Sequence, residues 1–260
     1  MLIKIPKLLK KLFNTFFDPA KQSIYPNKCI CCGRFLNEGE NLCELCAHWI
    51  ERINRQKRCL VCGLEKQRCR CKYNAYHFAG VVAPFYNAGI AKRAFYKYKL
   101  IPKKHYALYF ASEMVKTIKS ELADIKFDAV CYVPTAIKTV RYKGFDHAGI
   151  LAHKIGETLN LPVLDDVIIR KKGGKKQHTL SSKERFKNVR GRYGIDKRIS
   201  GMKILLVDDI LTTGATLDEC SRQLLFAGAQ SVYCVTALIT DNDYKISDYA
   251  KNIEFMIVDC

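Results

Sequence analysis

The sequence has no long apolar run. Its longest apolar stretches fall well short of the roughly 18 to 20 residues that a membrane-spanning helix needs, so no transmembrane span is expected. Proline is sparse, at 7 of 260 residues, and tryptophan occurs once. With 48% apolar residues, this is the composition of a globular chain with a normal core. The amino-terminal stretch "MLIKIPKLLKKLFNTFF" carries scattered lysines and no small-residue cleavage site, so it does not read as an export signal. Acidic residues are also scarce: 25 Asp and Glu against 44 Lys and Arg give a formal charge of +19. The six histidines show no metal-ligand spacing, and no internal repeat is found.

Cysteine, in contrast, is abundant. Thirteen cysteines without a secretory signal are expected to be reduced, metal-bound or buried rather than paired as disulfides, which places the protein in the cytoplasm. Nine of them fall in residues 1–72. "CICCGRFLNEGENLCELC" supplies Cys29 and Cys32, then Cys43 and Cys46. A two-residue gap turns both thiolates of a pair toward one ion, and tetrahedral zinc accepts four such ligands. A second set follows as Cys59 and Cys62, then Cys69 and Cys71, whose one-residue gap is less usual. It could hold a second zinc or exchange pairs with the first set in an interleaved arrangement. A region so poor in core residues would draw its folding free energy from the metal. Cys31 is spare, and Cys131, Cys220, Cys234 and Cys260 lie in or near apolar elements as candidate core residues.

The charge is lopsided. Residues 1–202 hold 40 Lys and Arg against 16 Asp and Glu, whereas residues 203–260 hold 4 against 9. Phosphates are natural partners for the first part; solvated lysine-rich faces are the alternative. The amino-terminal stretch puts Leu8, Leu9, Leu12, Phe13 and Phe16 on one helical face, suited to an anionic membrane surface or to docking on the protein itself.

Beyond residue 75 the pattern changes. Candidate strands "FAGVVAPF", "DAVCYVP", "VLDDVIIR", "KILLVDD", "SVYCVTALI" and "IEFMIVD" are short and apolar, as strands buried on both faces are. Between them lie "AKRAFYKYKL", "KKHYALYFASEMVKTIKSELA", "GFDHAGILAHKIGETLN" and "TLDECSRQLLFAG", with apolar residues near helical spacing. The expectation is an α/β fold with a doubly wound, mostly parallel sheet (75–260), preceded by an N-terminal helix and a small cysteine-rich zinc-binding module (1–74). Ligands belong at the carboxyl ends of the strands.

One such end is "KILLVDDILTTGATL". Its apolar half reads as a buried strand with Asp208 and Asp209 at the end, followed by a turn into a helix. Gly214 permits the turn, successive N–H groups converge on one point, and Thr212, Thr213 and Thr216 add hydroxyls, so a phosphate monoester fits. The paired carboxylates would repel that phosphate but can accept hydrogen bonds from the vicinal hydroxyls of a sugar. A 5-phosphorylated ribose satisfies both halves; an N-capped helix with surface aspartates is the alternative.

"ILLVDDILTTGATL" resembles the phosphoribosyl diphosphate motif of type I phosphoribosyltransferases. The resemblance implies ribose contacts at Asp208 and Asp209 and a phosphate loop through Leu211, Thr212, Thr213, Gly214, Ala215 and Thr216. It also implies phosphoribosyl diphosphate or ribose 5-phosphate as ligand, with magnesium. "VPTAIKTVRYKGFDHAGILA" and "RKKGGKKQHTLSSKERFKNVRGRYGI" resemble the competence protein ComF family, with Gln177, Leu180, Arg185 and Asn188 in the family's places. The chain departs at Lys143, Asp146 and His147, where Arg, Asn and Gln are more usual.

That resemblance implies a protein handling incoming single-stranded DNA during natural transformation, beside a competence helicase or another DNA-processing protein. The alternative it leaves open is an active phosphoribosyltransferase acting on a nucleobase or other acceptor. No catalytic residue is assigned, and "ALITDNDYKISDYAKN" offers no recognisable base-binding pattern. The basic segment with Lys171, Lys172, Lys175, Lys176 and Arg185 joins two strands. It is a candidate for diphosphate or nucleic-acid contacts, or a solvated loop. "AFYKYKLIPKKHY" interleaves aromatics with lysines, as single-strand binding surfaces do, although aromatics at this spacing also suit a core.

Overall fold

The computed structural model describes residues 28–37, 39–69, 71, 76–100, 104–135, 140, 144–171, 186, 188–241 and 244. The amino-terminal stretch, Lys172, Lys175, Lys176, Gln177, Leu180, Arg185, the strand expected at "IEFMIVD" and Cys260 lie outside them.

The elements in chain order are α1 (Glu44–Trp49), β1 (Gly80–Val82), β2 (Phe85–Tyr86), α2 (Gly89–Leu100), α3 (Lys104–Glu121) and β3 (Ala129–Tyr132). They continue with α4 (His147–Leu159), β4 (Ile168–Arg170), β5 (Tyr193–Ile195), β6 (Lys203–Leu211), α5 (Ala215–Phe226) and β7 (Ser231–Ile239). Strands β1 and β2 both lie beside β7, β7 lies beside β6, and β6 lies beside β3, every pair parallel. This is the parallel, doubly wound α/β sheet that the alternating pattern requires.

Strand alternation explains the two cores. Leu205, Val207 and Val235 turn to one face, where they meet Phe95 and Tyr98 of α2, Phe110 and Met114 of α3, and Leu151 and Ile155 of α4. Ile204, Leu206, Val232 and Cys234 turn to the other, against Leu217, Cys220 and Leu224 of α5. The cysteine-rich residues divide between these faces. Cys29, Cys31, Cys43, Cys46 and Ile50 belong to the first core, and Ile53, Cys62 and Leu64 to the second.

Two strand expectations are corrected. "FAGVVAPF" is not one strand, because Pro84 has no N–H to continue the ladder; β1 stops at Val82 and β2 restarts at Phe85. The carbonyls at the break are taken up from the cysteine-rich side, by Arg58 at Ala83 (2.6 Å) and by the Ile53 N–H at Pro84 (3.1 Å). "VLDDVIIR" also divides: Asp166 adopts a left-handed φ of 60°, which ends the run. Val163 makes only a bridge to Val130, and Ile168–Arg170 pairs antiparallel with Tyr193–Ile195 in a separate ribbon.

An open sheet edge would template further pairing. Here the Leu60 carbonyl accepts from the Val81 N–H (2.7 Å) and the Glu51 carbonyl from the Tyr86 N–H (2.9 Å), so the stretch from residue 51 to residue 60 covers the β1–β2 edge. Buried ion pairing fixes that segment to α3 through Arg58 and Glu121 at 2.9 Å. The buried Glu51 carboxylate accepts from the Ile90 and Ala91 N–H groups, two buried first-turn donors of α2 that the helix itself leaves without an acceptor. Among the described residues no helix is long and apolar enough to cross a membrane.

Candidate functional site

The site forms where β6 ends. Leu211 closes the strand, Thr212 and Thr213 leave it, and Gly214 turns the chain with φ 80° and ψ −6° into α5. Only glycine takes that conformation without strain, and a Cβ there would lie 2.9 Å from the Tyr76 ring. The first intrahelical bond runs from the Asp218 N–H to the Gly214 carbonyl at 2.8 Å. The helix therefore supplies no i−4 acceptor for the amides of Ala215, Thr216 and Leu217, which face the turn as an anion-binding terminus does. Ala215 reaches the Thr213 hydroxyl at 3.4 Å.

Asp208 and Asp209 stand side by side before this turn, and their environments differ. The Asp208 carboxylate accepts from the Asp209 N–H at 2.8 Å and the Asp209 carboxylate from the Ile210 N–H at 2.6 Å. Burial, reinforced by the neighbouring Asp209 charge, pushes the Asp208 carboxyl well above the usual carboxylate range. Asp209 has a cation against it: Lys99 Nζ, from the end of α2, sits 2.6 Å from its Oδ2. Lys99 was missed in the sequence because its partner lies 110 positions away and lysines recur throughout α2.

Two further residues escaped sequence reading. Tyr76 places its hydroxyl 3.4 Å from the Thr213 carbonyl and stacks on Phe78, with centroids 4.6 Å apart. Beside it, the His77 N–H and Nδ1 both meet Asp218 Oδ1, at 2.6 and 2.9 Å. Residues 76 and 77 thus grip the β6–α5 turn and the first turn of α5. Their only sequence signal is position, five residues after Cys71.

Asp146, where the resembled family more usually has Asn, caps α4 by accepting from the Gly149 N–H and also binds the backbone and hydroxyl of Thr135. His147 is buried, with its Nε2 2.9 Å from the Lys99 carbonyl and its ring edge-on to Tyr98. These two residues build the frame beside Lys99. Asn188 accepts from Arg192 at 3.1 Å. Lys171 leaves β4 with its N–H on the Arg192 carbonyl and lies toward the far end of α5; the structure does not bring it to the turn. The aromatics of "AFYKYKL" divide: Phe95 and Tyr98 are fully buried, and Tyr96 is exposed.

The eight cysteines gather into two separate groups, Cys29, Cys32, Cys43 and Cys46, and Cys59, Cys62, Cys69 and Cys71, each with its four sulfurs within 4.8 Å of one another. They are not interleaved. Cys32 and Cys43 sulfurs are 3.7 Å apart, Cys59 and Cys71 3.5 Å, and Cys62 and Cys69 3.8 Å. A tetrahedron with zinc–sulfur bonds of about 2.3 Å has edges of about 3.8 Å, so both sets fit the ion. None of the eight is in a disulfide. The Cys43 N–H points at the Cys29 sulfur (3.4 Å), a hydrogen bond that favours the thiolate form a metal takes. Cys131, Cys220 and Cys234 are buried in the second core.

The model of the "Phosphoribosyl transferase domain" family matches residues 107–258. Competence protein F of Haemophilus influenzae is 29% identical over 93 residues, which are 35% of this chain and 41% of the relative. DNA utilization protein YhgH of Escherichia coli O157:H7 is 28% identical over 105 residues, 40% of this chain and 46% of the relative. The matched stretch therefore spans less than half of each relative's length. Among solved structures, an adenine phosphoribosyltransferase from Thermoanaerobacter pseudethanolicus is 14% identical, covering 55% of this chain and 84% of its own, at a TM-score of 0.34.

Proposed function

Because the chain belongs to the phosphoribosyl transferase domain family, as a ComF-type member, we propose that it binds phosphoribosyl diphosphate at the β6–α5 turn and handles incoming single-stranded DNA in natural transformation, in the cytoplasm. The observation that carries the first part is the unbroken sequence of strand end, carboxylate pair, left-handed Gly214 and helix start. Amides of residues 212–216 and the threonine hydroxyls take the 5-phosphate. Asp208 and Asp209 accept from the ribose hydroxyls, and Lys99, now on Asp209, is within reach of the ligand's negative groups. Asp208 and Asp209 would hold magnesium, which would neutralise charge on the diphosphate. The eight cysteines would hold two zinc ions.

The DNA role is supported by the names of the two relatives and by the basic balance of residues 1–202. A competence helicase or another DNA-processing protein is the partner such a role implies. A second reading, transfer of phosphoribose to a nucleobase or another acceptor, is favoured by the intact carboxylate pair. Departure of diphosphate leaves positive charge at the anomeric carbon, which Asp208 and Asp209 would stabilise.

Calorimetric titration with phosphoribosyl diphosphate and magnesium tests the first part. Wild type is expected to bind, Asp209→Asn and Gly214→Val to lose about tenfold or more in affinity, and ribose 5-phosphate to bind at the same place more weakly. Binding that survives both substitutions would move the ligand elsewhere.

A further inference from the structure

At the opposite end of α5 from the phosphate turn lies a groove of about 810 Å³, walled by the β4–β5 ribbon, the residues leading into β6 and the last turn of the helix. Its floor and rim combine two properties. Phe226 is 89% exposed and Ile169 is 44% exposed, although both could have been polar on a solvated surface. Among the described residues, Lys171, Lys197 and Arg198 line the same groove with one acidic side chain, Asp196, so this lining is net positive. An aromatic face left to water and ringed by cations is costly for a soluble surface and suited to a ligand that is flat, apolar and polyanionic. Neither property serves the phosphate turn, because the 12 residues of α5 separate the two by about 18 Å.

We propose that this groove binds single-stranded nucleic acid, with a base stacked on Phe226 and the adjoining phosphates paired to Lys171, Lys197 and Arg198. The inference rests on the DNA-handling role above and assigns it a place. Because the groove and the turn sit at opposite ends of one helix, nucleic acid and phosphoribosyl diphosphate bind together without competing.

The test is fluorescence anisotropy with a labelled oligothymidylate and an abasic oligomer of equal charge, on wild type, Phe226→Ser and the triple variant Lys171→Gln, Lys197→Gln, Arg198→Gln. All four side chains are exposed, and a thermal melt confirms that each variant is folded. Phe226→Ser should weaken oligothymidylate binding about tenfold and leave the abasic oligomer unchanged, since only a base can stack. The triple variant should weaken both and lower the salt slope by about two, as three released counterions on a single strand require. Saturating phosphoribosyl diphosphate should leave either affinity unchanged. Tight wild-type binding that neither variant alters overturns this groove as the site while sparing the DNA-handling role. Absence of wild-type binding at low salt overturns that role together with the groove.

Discussion

The two cysteine clusters have the same chemistry and different neighbours. The first belongs to the core that also holds Phe95, Phe110 and Leu151, on the sheet face away from α5, with Cys29 and Cys46 at 1% and 0% exposure. The second is more open and packs on the other face, where it is wired to the site. Its Gly63 abuts Ile239 at the end of β7, Arg68 pairs with the buried Asp241 at 2.8 Å, and Tyr76 and His77, five and six positions after Cys71, rest on Gly214 and Asp218. The difference teaches that a cysteine cluster contributes according to where it packs: the first to the stability of the core, the second to the shape of the β6–α5 turn as well.

The largest expected effect separates them on stability. Replacing Cys29 and Cys46 by serine leaves polar groups buried without a metal and should cost at least about 3 to 5 kcal/mol, unfolding the α/β core with the knuckle because they share it. Denaturant unfolding and limited proteolysis read this; an α/β core that survives intact would break the comparison. Next comes affinity. Cys59→Ser with Cys71→Ser should reduce phosphoribosyl diphosphate affinity about tenfold in a chain that remains folded, by releasing the segment that carries Tyr76. Unchanged affinity in that double variant would reduce both clusters to one role.

A smaller effect lies at the contact itself. Gly214→Ala should destabilise by about 1 to 3 kcal/mol, from a strained φ and from a Cβ placed against Tyr76. Combining it with Tyr76→Ala should relieve the second part and leave the first, a coupling that a double-mutant cycle measures. Strict additivity would mean that Tyr76 does not hold the turn.

The smallest effect concerns Asp208. A carboxyl whose folded pKa is raised favours the native state below its unfolded pKa of about 3.9, and that contribution is lost as pH rises through the folded value. Asp208→Asn should therefore melt higher than wild type at neutral pH, with the gap widening as pH rises, while binding ribose less well. A variant less stable than wild type at neutral pH would show that the native state depends on the ionised pair.

Much of this was legible in the sequence, for physical reasons. Strand β6 and the turn after it are encoded locally: an apolar run, two carboxylates, a glycine and a helical period follow one another within fifteen residues. The cysteine quartets are also local, and their spacing sufficed to suggest four-ligand sites. What was illegible depends on contacts distant in the chain or on single dihedral angles. Lys99 on Asp209 and Tyr76 on Gly214 are long-range meetings that no local pattern announces. Asp166 breaks an apparently continuous strand through one left-handed residue, and the partner that β4 then takes, Tyr193–Ile195, is too short to show a period of its own.

Hydrogen exchange measured peptide by peptide, with and without phosphoribosyl diphosphate and magnesium, tests the central claim most directly. The account predicts slowed exchange at the amides of residues 212–216, extending to Tyr76 and His77, with residues 29–34 of the first knuckle unchanged. Protection confined to other segments, or equal protection at both knuckles with none at 212–216, would contradict it.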